Sequence, residues 1–163
     1  MKVLVSACLL GQRVRWNASH KKAETLESWA LSNGIELIPV CPENELFGTP
    51  RPPIRLTHIE NETKAVMKGR DVLSLLDEKC IEIQAAHPEA VGFIGISRSP
   101  TCGISVGVKN LGRTIKGSMH KTTSLPTVEY NQLKNENSRQ QFLRRLHKSH
   151  EYICSRQESS TGG

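Results

Sequence analysis

The sequence predicts a single α/β domain. Three short, β-branched aliphatic runs alternate with two segments of helical periodicity, and this alternation is typical of parallel strands joined by right-handed crossovers. The chain has 163 residues, which suits one hydrophobic core, and only 4% of them are aromatic, so that core has to be aliphatic. We therefore expect a three-layer, Rossmann-like domain built on a small, mostly parallel sheet.

The first half of the chain supplies most of the alternation. Residues 2–6 and 35–40 are apolar runs of the length of buried strands, and residues 21–32 between them have helical periodicity. The apolar positions of that helix are Leu26, Trp29, Ala30 and Leu31. Asn33-Gly34 then provides a stop signal. Residues 54–58 and 63–67 predict a small hairpin, with a polar turn between them.

The second half contains one strong strand and two helices. Asp71 is the predicted N-cap of a helix over residues 72–86. The apolar face of that helix consists of Val72, Leu75, Leu76, Ile83 and Ala86. Residues 91–96 predict a third buried strand, 125–130 a further strand, and 138–153 an amphipathic helix, whereas 107–123 show no clear period. We expect one domain over residues 1–154 and a flexible polar tail over 155–163.

The charge of the chain is uneven. Residues 1–108 contain 12 basic and 12 acidic side chains, so residues 109–163 carry the entire formal charge of +6. Such a surplus is typical of a solvated basic surface, or of a patch for phosphate or nucleic acid. No apolar run reaches the ~18–20 residues of a membrane span. The apolar stretch before Cys8 is also shorter than the roughly 7–15 residues of a signal peptide, so we expect a cytoplasmic protein without a membrane partner.

Three of the five cysteines follow predicted buried strands. Cys8, Cys41 and Cys102 lie in turns just after residues 2–6, 35–40 and 91–96. Because the carboxyl ends of parallel strands meet at one edge of a sheet, these thiols are expected to converge there. Cys80 lies inside a predicted helix and Cys154 at the end of one, so neither is expected to take part. The odd count and wide spacing argue against a disulfide framework.

Three thiolates are compatible with zinc or with an iron–sulfur cluster. Structural zinc usually has four ligands with one closely spaced cysteine pair, which this sequence lacks, although His20, His58 or His120 could add a ligand. Clusters normally have four thiolates, so three would leave one iron open to a substrate. A catalytic cysteine nucleophile is a further possibility, but three equivalent thiols suit a metal better.

Five short blocks in the chain resemble a known family. They are SACLLG with Val14-Arg15 after it, then CPE at residues 41–43, then Arg51-Pro52, then GRDV at 69–72, and SPTCG at 99–103. In this order they resemble the thiouracil desulfidase (TudS) family, over about residues 1 to 110.

The resemblance implies an enzyme with a 4Fe–4S cluster at the carboxyl ends of the strands. Cys8, Cys41 and Cys102 match the cluster ligands, which would leave one iron open. The implied reaction is a non-redox, hydrolytic desulfuration of 4-thiouracil, its nucleoside or its nucleotide. Glu43 and Ser99 match the proposed catalytic positions, Glu43 as general base on water and Ser99 as a group that positions the water or relays a proton.

Substrate identity is less defined by the sequence. Arg15, His20 and Lys21 follow the first cysteine and Arg98 precedes Ser99, so these four could hold a substrate phosphate. The chain after residue 124 resembles a longer subgroup of the family that is thought to act on 4-thiouridine in tRNA, and its positive charge would suit an RNA backbone. A non-catalytic module that binds zinc or an iron–sulfur cluster is the remaining alternative.

Overall fold

The computed structural model describes residues 1–162 and has a four-stranded parallel sheet at its centre. Its strands are β1 (Lys2–Ser6), β2 (Glu36–Val40), β6 (Ala90–Gly95) and β9 (Thr127–Glu129). Their spatial order is β2-β1-β6-β9, and every neighbouring pair is parallel. β6 is buried along its whole length, as expected of a strand covered on both faces.

Helices cover both faces of this sheet. On one face, α1 (Leu26–Ser32) and α5 (Glu136–Thr161) pack against Val3 and Val5 of β1. On the other face, α3 (Leu73–Ala86) and α4 (Ser118–Lys121) share a core cluster with Leu4. Neighbouring side chains of β1 point to opposite faces because a strand has a period of two. The predicted three-layer α/β class is therefore confirmed.

Smaller elements surround the loops that follow the strands. β3 (Arg55–Ile59), β4 (Glu62–Met67) and β5 (Arg70–Asp71) form an antiparallel sheet, and β7 (Val106–Gly107) pairs with β8 (Thr114–Ile115). The predicted hairpin corresponds to β3 and β4. Helix α2 (Pro42–Phe47) was not predicted, although proline is favourable in the first turn of a helix.

Two predicted helix faces were partly wrong. Leu31 is 82% exposed and Leu75 is 40% exposed, because both point away from the packed side of their helices. Helix α1 also begins later than predicted, at Leu26. Val72, and not Asp71, is the N-cap of α3, yet the Asp71 carboxylate still accepts a hydrogen bond from the backbone N–H of Leu73.

The last helix is longer than predicted. It continues through residues 155–161, where serine and threonine side chains donate to carbonyls three or four residues earlier and Arg156 lies over the Tyr152 ring. The expected polar tail is thus helical as far as Thr161, while Gly163 lies outside the described residues. The boundary at residue 154 stays a prediction. Within residues 1–162, no helix is both long and apolar enough to cross a membrane.

Candidate functional site

A cavity of about 280 Å³ lies at the carboxyl edge of the central sheet. Cys8 reaches it from a 3-10 turn (Ala7–Leu10) directly after β1, and Cys41 from the N-cap of α2 directly after β2. Cys102 reaches it from the loop that follows β6. The structure therefore brings the three strand-end cysteines to one cavity, whereas Cys80 is a buried core residue of α3 and Cys154 lies on α5.

The three thiols are free and poorly solvated. Burial raises the pKa of Cys8 to about 11, and the nearby Cys41 adds to that effect. Burial also raises the pKa of Cys41 and of Cys102, although the backbone N–H of Asn44 opposes it at Cys41 and the Ser6 hydroxyl opposes it at Cys102. Thiolates in this cavity thus need a positive partner, and metal binding would release their protons.

The histidines considered as a fourth metal ligand do not line the cavity of the three thiols. Within residues 1–162, no group of three or more His, Cys, Asp or Glu side chains is arranged around one metal ion. Of the histidines considered as a fourth ligand, His20 is exposed, His58 lies beside Thr63 in the hairpin, and His120 is buried against the backbone of Cys102. Ligands of a cluster bind different iron atoms and need not converge on one point.

Glu43 presents a firmly held carboxylate to the same cavity. Its Oε2 accepts hydrogen bonds from Nε and Nη2 of Arg51, at 3.3 and 3.0 Å, and its Oε1 accepts one of 2.8 Å from the hydroxyl of Thr101. Both donors are buried, since Thr101 has no exposed surface and the Arg51 side chain is 4% exposed. Two guanidinium N–H groups on one carboxylate oxygen and a buried hydroxyl on the other together define one orientation of the carboxylate.

Ser99 occupies the turn before the third cysteine. Its Oγ accepts hydrogen bonds from the backbone N–H groups of Thr101 and Cys102, at 3.2 and 3.0 Å. A hydroxyl has two lone pairs and one proton, so these two bonds leave Ser99 able to donate but not to accept. Ser99 lines the cavity. The group that it offers there is therefore a hydrogen-bond donor.

The predicted phosphate-binding residues are only partly brought together. Arg15 and Arg98 line the main cavity, and both also line an adjoining cavity of about 410 Å³ together with Lys21. Arg98 has a φ of 64°, a left-handed conformation that is uncommon for a residue with a side chain. His20 lines neither cavity, and its Nδ1 accepts from the backbone N–H of Lys22.

Sequence reasoning missed two residues of the site. Arg51 and Thr101 were noted as parts of the family blocks, but neither was chosen as a site residue. The signal available was their position inside the RP and SPTCG blocks. Arg51 lies 8 residues and Thr101 lies 58 residues from Glu43 along the chain, so no local sequence pattern indicates these contacts.

Comparisons with known proteins are in line with this geometry. A family model described as 2-thiouracil desulfurase matches residues 3–128. A solved structure of a [4Fe–4S]-dependent thiouracil desulfidase, TudS, has the same fold with a TM-score of 0.64, at 24% sequence identity over 82% of this chain and 93% of that chain. No match was found among curated proteins. The family model agrees with the resemblance that the cysteine motifs carry.

Proposed function

Because the chain belongs to the 2-thiouracil desulfurase family, we propose that it is an iron–sulfur-dependent desulfidase acting on a thiolated pyrimidine. Its substrate would be 4-thiouracil or the corresponding nucleoside or nucleotide. The observation that carries the proposal is the meeting of three cysteines, two buried and one partly buried and each from a different strand end, in one cavity with the fixed carboxylate of Glu43.

The donor set suits a 4Fe–4S cluster held by Cys8, Cys41 and Cys102. Thiolates are the usual ligands of such clusters, and three of them would leave one iron without a protein ligand. When bound, the cluster would supply a thiophilic, Lewis-acidic iron for the sulfur of the substrate. The TudS desulfidase, whose solved structure has the same fold, is [4Fe–4S]-dependent, and this supports the same cofactor here.

The overall reaction exchanges sulfur for oxygen without a change in oxidation state. Water adds to the ring carbon of the thiocarbonyl, a carbon–oxygen bond forms, the carbon–sulfur bond breaks, and the products are the ordinary pyrimidine and hydrogen sulfide. Glu43 would take a proton from the attacking water as general base. Arg51 and Thr101 would hold the carboxylate in place for that step, and Ser99 would donate a hydrogen bond to the substrate or to the water.

The cavity also suits a planar ring. Val40, Ile54 and Ile96 supply apolar wall, and Trp16 lies at the rim with 45% of its surface exposed. Ligand sites commonly combine such apolar lining with a few polar groups that set the orientation. In the adjoining cavity Arg15, Lys21 and Arg98 would hold the phosphate of a nucleotide.

A thiolated tRNA is the second candidate substrate, and one observation favours it. Arg144, Arg145 and Lys148 are exposed on α5, and none of them forms an ion pair with the described part of the chain. An RNA backbone would neutralise such charges, so tRNA binding should weaken steeply as salt is raised. Absence of binding at low salt would remove this candidate.

The decisive experiment is anaerobic purification and reconstitution, followed by quantification of iron, acid-labile sulfide and zinc. We expect iron and sulfide in cluster proportions, and sulfide release from 4-thiouracil, 4-thiouridine or 4-thiouridine monophosphate. Replacing Cys8, Cys41 or Cys102 by serine should abolish both cluster binding and sulfide release from the substrates, while Cys154→Ser is the matched control. About one zinc per chain without iron would instead support the non-catalytic metal-binding module. A loaded protein inert towards all three compounds would contradict the proposed activity on small substrates.

A further inference from the structure

The loop that carries the third cysteine is held by a segment that lies outside the five family blocks, at residues 117–122. Three successive carbonyls of the loop accept hydrogen bonds from the segment that ends in α4. The backbone N–H of Met119 donates to Thr101 at 2.9 Å, and that of Gly117 donates to Gly103 at 2.8 Å. Between them, Nε2 of His120 lies 2.7 Å from the carbonyl oxygen of Cys102.

The contact at Cys102 is the one made by a side chain. A carbonyl oxygen can only accept, so Nε2 of His120 carries the proton and donates it. The ring is 4% exposed and packs 5.1 Å from the ring of Phe93. The atoms around this hydrogen bond are closely packed, because a Cβ added at Gly95 would lie 2.0 Å from the Cys102 carbonyl oxygen and 2.9 Å from Nε2 of His120.

The segment itself is anchored on the helix layer. Lys121 forms a 2.7 Å ion pair with Asp77 of α3, and the Gln84 amide donates to the Thr122 hydroxyl at 3.0 Å. At its start, Gly117 lies so close to the loop that an added Cβ would be 2.8 Å from the carbonyl oxygens of Pro100 and Thr101. The loop is thus fastened to α3 through α4, with His120 as the link to Cys102.

We propose that His120 is a positioning residue that fixes Cys102 as a ligand, an inference that rests on the proposed cluster function. Its imidazole would restrain the backbone of Cys102 and thereby the place of the thiol in the cavity. Removal of the N–H donor leaves a buried carbonyl without a partner and frees the loop, so ligation by Cys102 should weaken while Cys8 and Cys41 are unaffected.

The test compares His120→Leu, which removes the donor, with His120→Gln, whose amide N–H can replace Nε2–H. Under anaerobic chelator challenge, the leucine variant should lose iron about tenfold faster than wild type, whereas the glutamine variant should stay close to wild type. Cys80→Ala is the matched control, since Cys80 belongs to the same core cluster without contacting the loop through a hydrogen bond. Iron loss at the wild-type rate in the leucine variant, or equal loss in both variants, would overturn the proposal.

A second measurement does not need the cluster. In the metal-free protein, alkylation of Cys102 relative to Cys8 in the same molecule should rise about tenfold in His120→Leu and return towards wild type in His120→Gln. Should the leucine variant not fold, His120→Asn, whose amide is too short to reach, takes its place. An unchanged ratio contradicts the role of His120, whereas failure of the wild type to take up any iron–sulfur cluster contradicts the proposed function instead.

Discussion

The hydrogen bond between Thr101 and Glu43 can be removed with almost no change in the shape of the side chain at position 101. Valine has nearly the volume of threonine, and Thr101 is fully buried, so Thr101→Val deletes the 2.8 Å bond to Oε1 and leaves no cavity. The two bonds from Arg51 to the other carboxylate oxygen remain. The substitution therefore isolates one contact of the proposed general base.

The size of the effect follows from the burial of both partners. Hydrogen bonds to charged groups contribute about 1.5–3 kcal/mol. The Glu43 side chain is 13% exposed, so water compensates part of the loss, and the new methyl group gains some hydrophobic stabilisation. We expect the free energy of unfolding to fall by about 1–2 kcal/mol, which for a chain of this length corresponds to a Tm lower by about 2–8 °C.

Urea unfolding of the metal-free protein, followed by circular dichroism, measures this change. A double-mutant cycle with Glu43→Ala should give a coupling energy of about 1.5–2 kcal/mol. Thr101→Ser keeps the hydroxyl, so its own cycle with Glu43→Ala should give a coupling energy near zero. In the loaded enzyme, Thr101→Val should lower kcat more than it raises KM, because the carboxylate is less well oriented towards the water.

A coupling energy near zero in the metal-free protein would refute the reasoning. It would mean that the Thr101 hydroxyl does not hold Glu43 in solution. The same conclusion would follow if the cycles of Thr101→Ser and of Thr101→Val with Glu43→Ala gave equal coupling energies, since only the valine variant removes the donor. Equal activity of the wild type and Thr101→Val would separately exclude a positioning role in catalysis.

Three further predictions concern neighbouring contacts. Arg51→Met should lower the unfolding free energy by about 3–5 kcal/mol in urea titrations, because it leaves Glu43 without its buried partner; a loss below that of the exposed control Arg13→Met would contradict the ion pair. Gly95→Ala should lower the free energy of unfolding by about 1–3 kcal/mol, because the added methyl group overlaps the Cys102 carbonyl. Gly107→Ala, which has open space around it, should change that free energy little, and equal Tm values for the two variants would contradict this packing. Arg98→Ala should raise KM for 4-thiouridine monophosphate about tenfold but leave that for 4-thiouracil unchanged, and equal effects on the two substrates would exclude a phosphate contact.

The local pattern of the chain determined the fold class and the position of its central strands. The aliphatic run at residues 2–6 coincides with β1, and the ends of the other predicted strands of the sheet lie within two residues of those of β2, β6 and β9. Buried parallel strands are continuous apolar runs, which a sequence shows directly. Family membership was likewise predictable, because the cysteine motifs are short and contiguous.

Only the tertiary structure decided which side chains meet around Glu43 and Cys102. Arg51, Thr101 and His120 reach their partners from separate loops and a four-residue helix in a stretch without clear periodicity. Such contacts depend on how crossovers and turns are placed in space, and helical or strand periodicity describes only neighbours along the chain. For the same reason, the sequence predicted four basic residues around a phosphate, whereas the packing of the loops places Arg15, Lys21 and Arg98 at one cavity and His20 away from it.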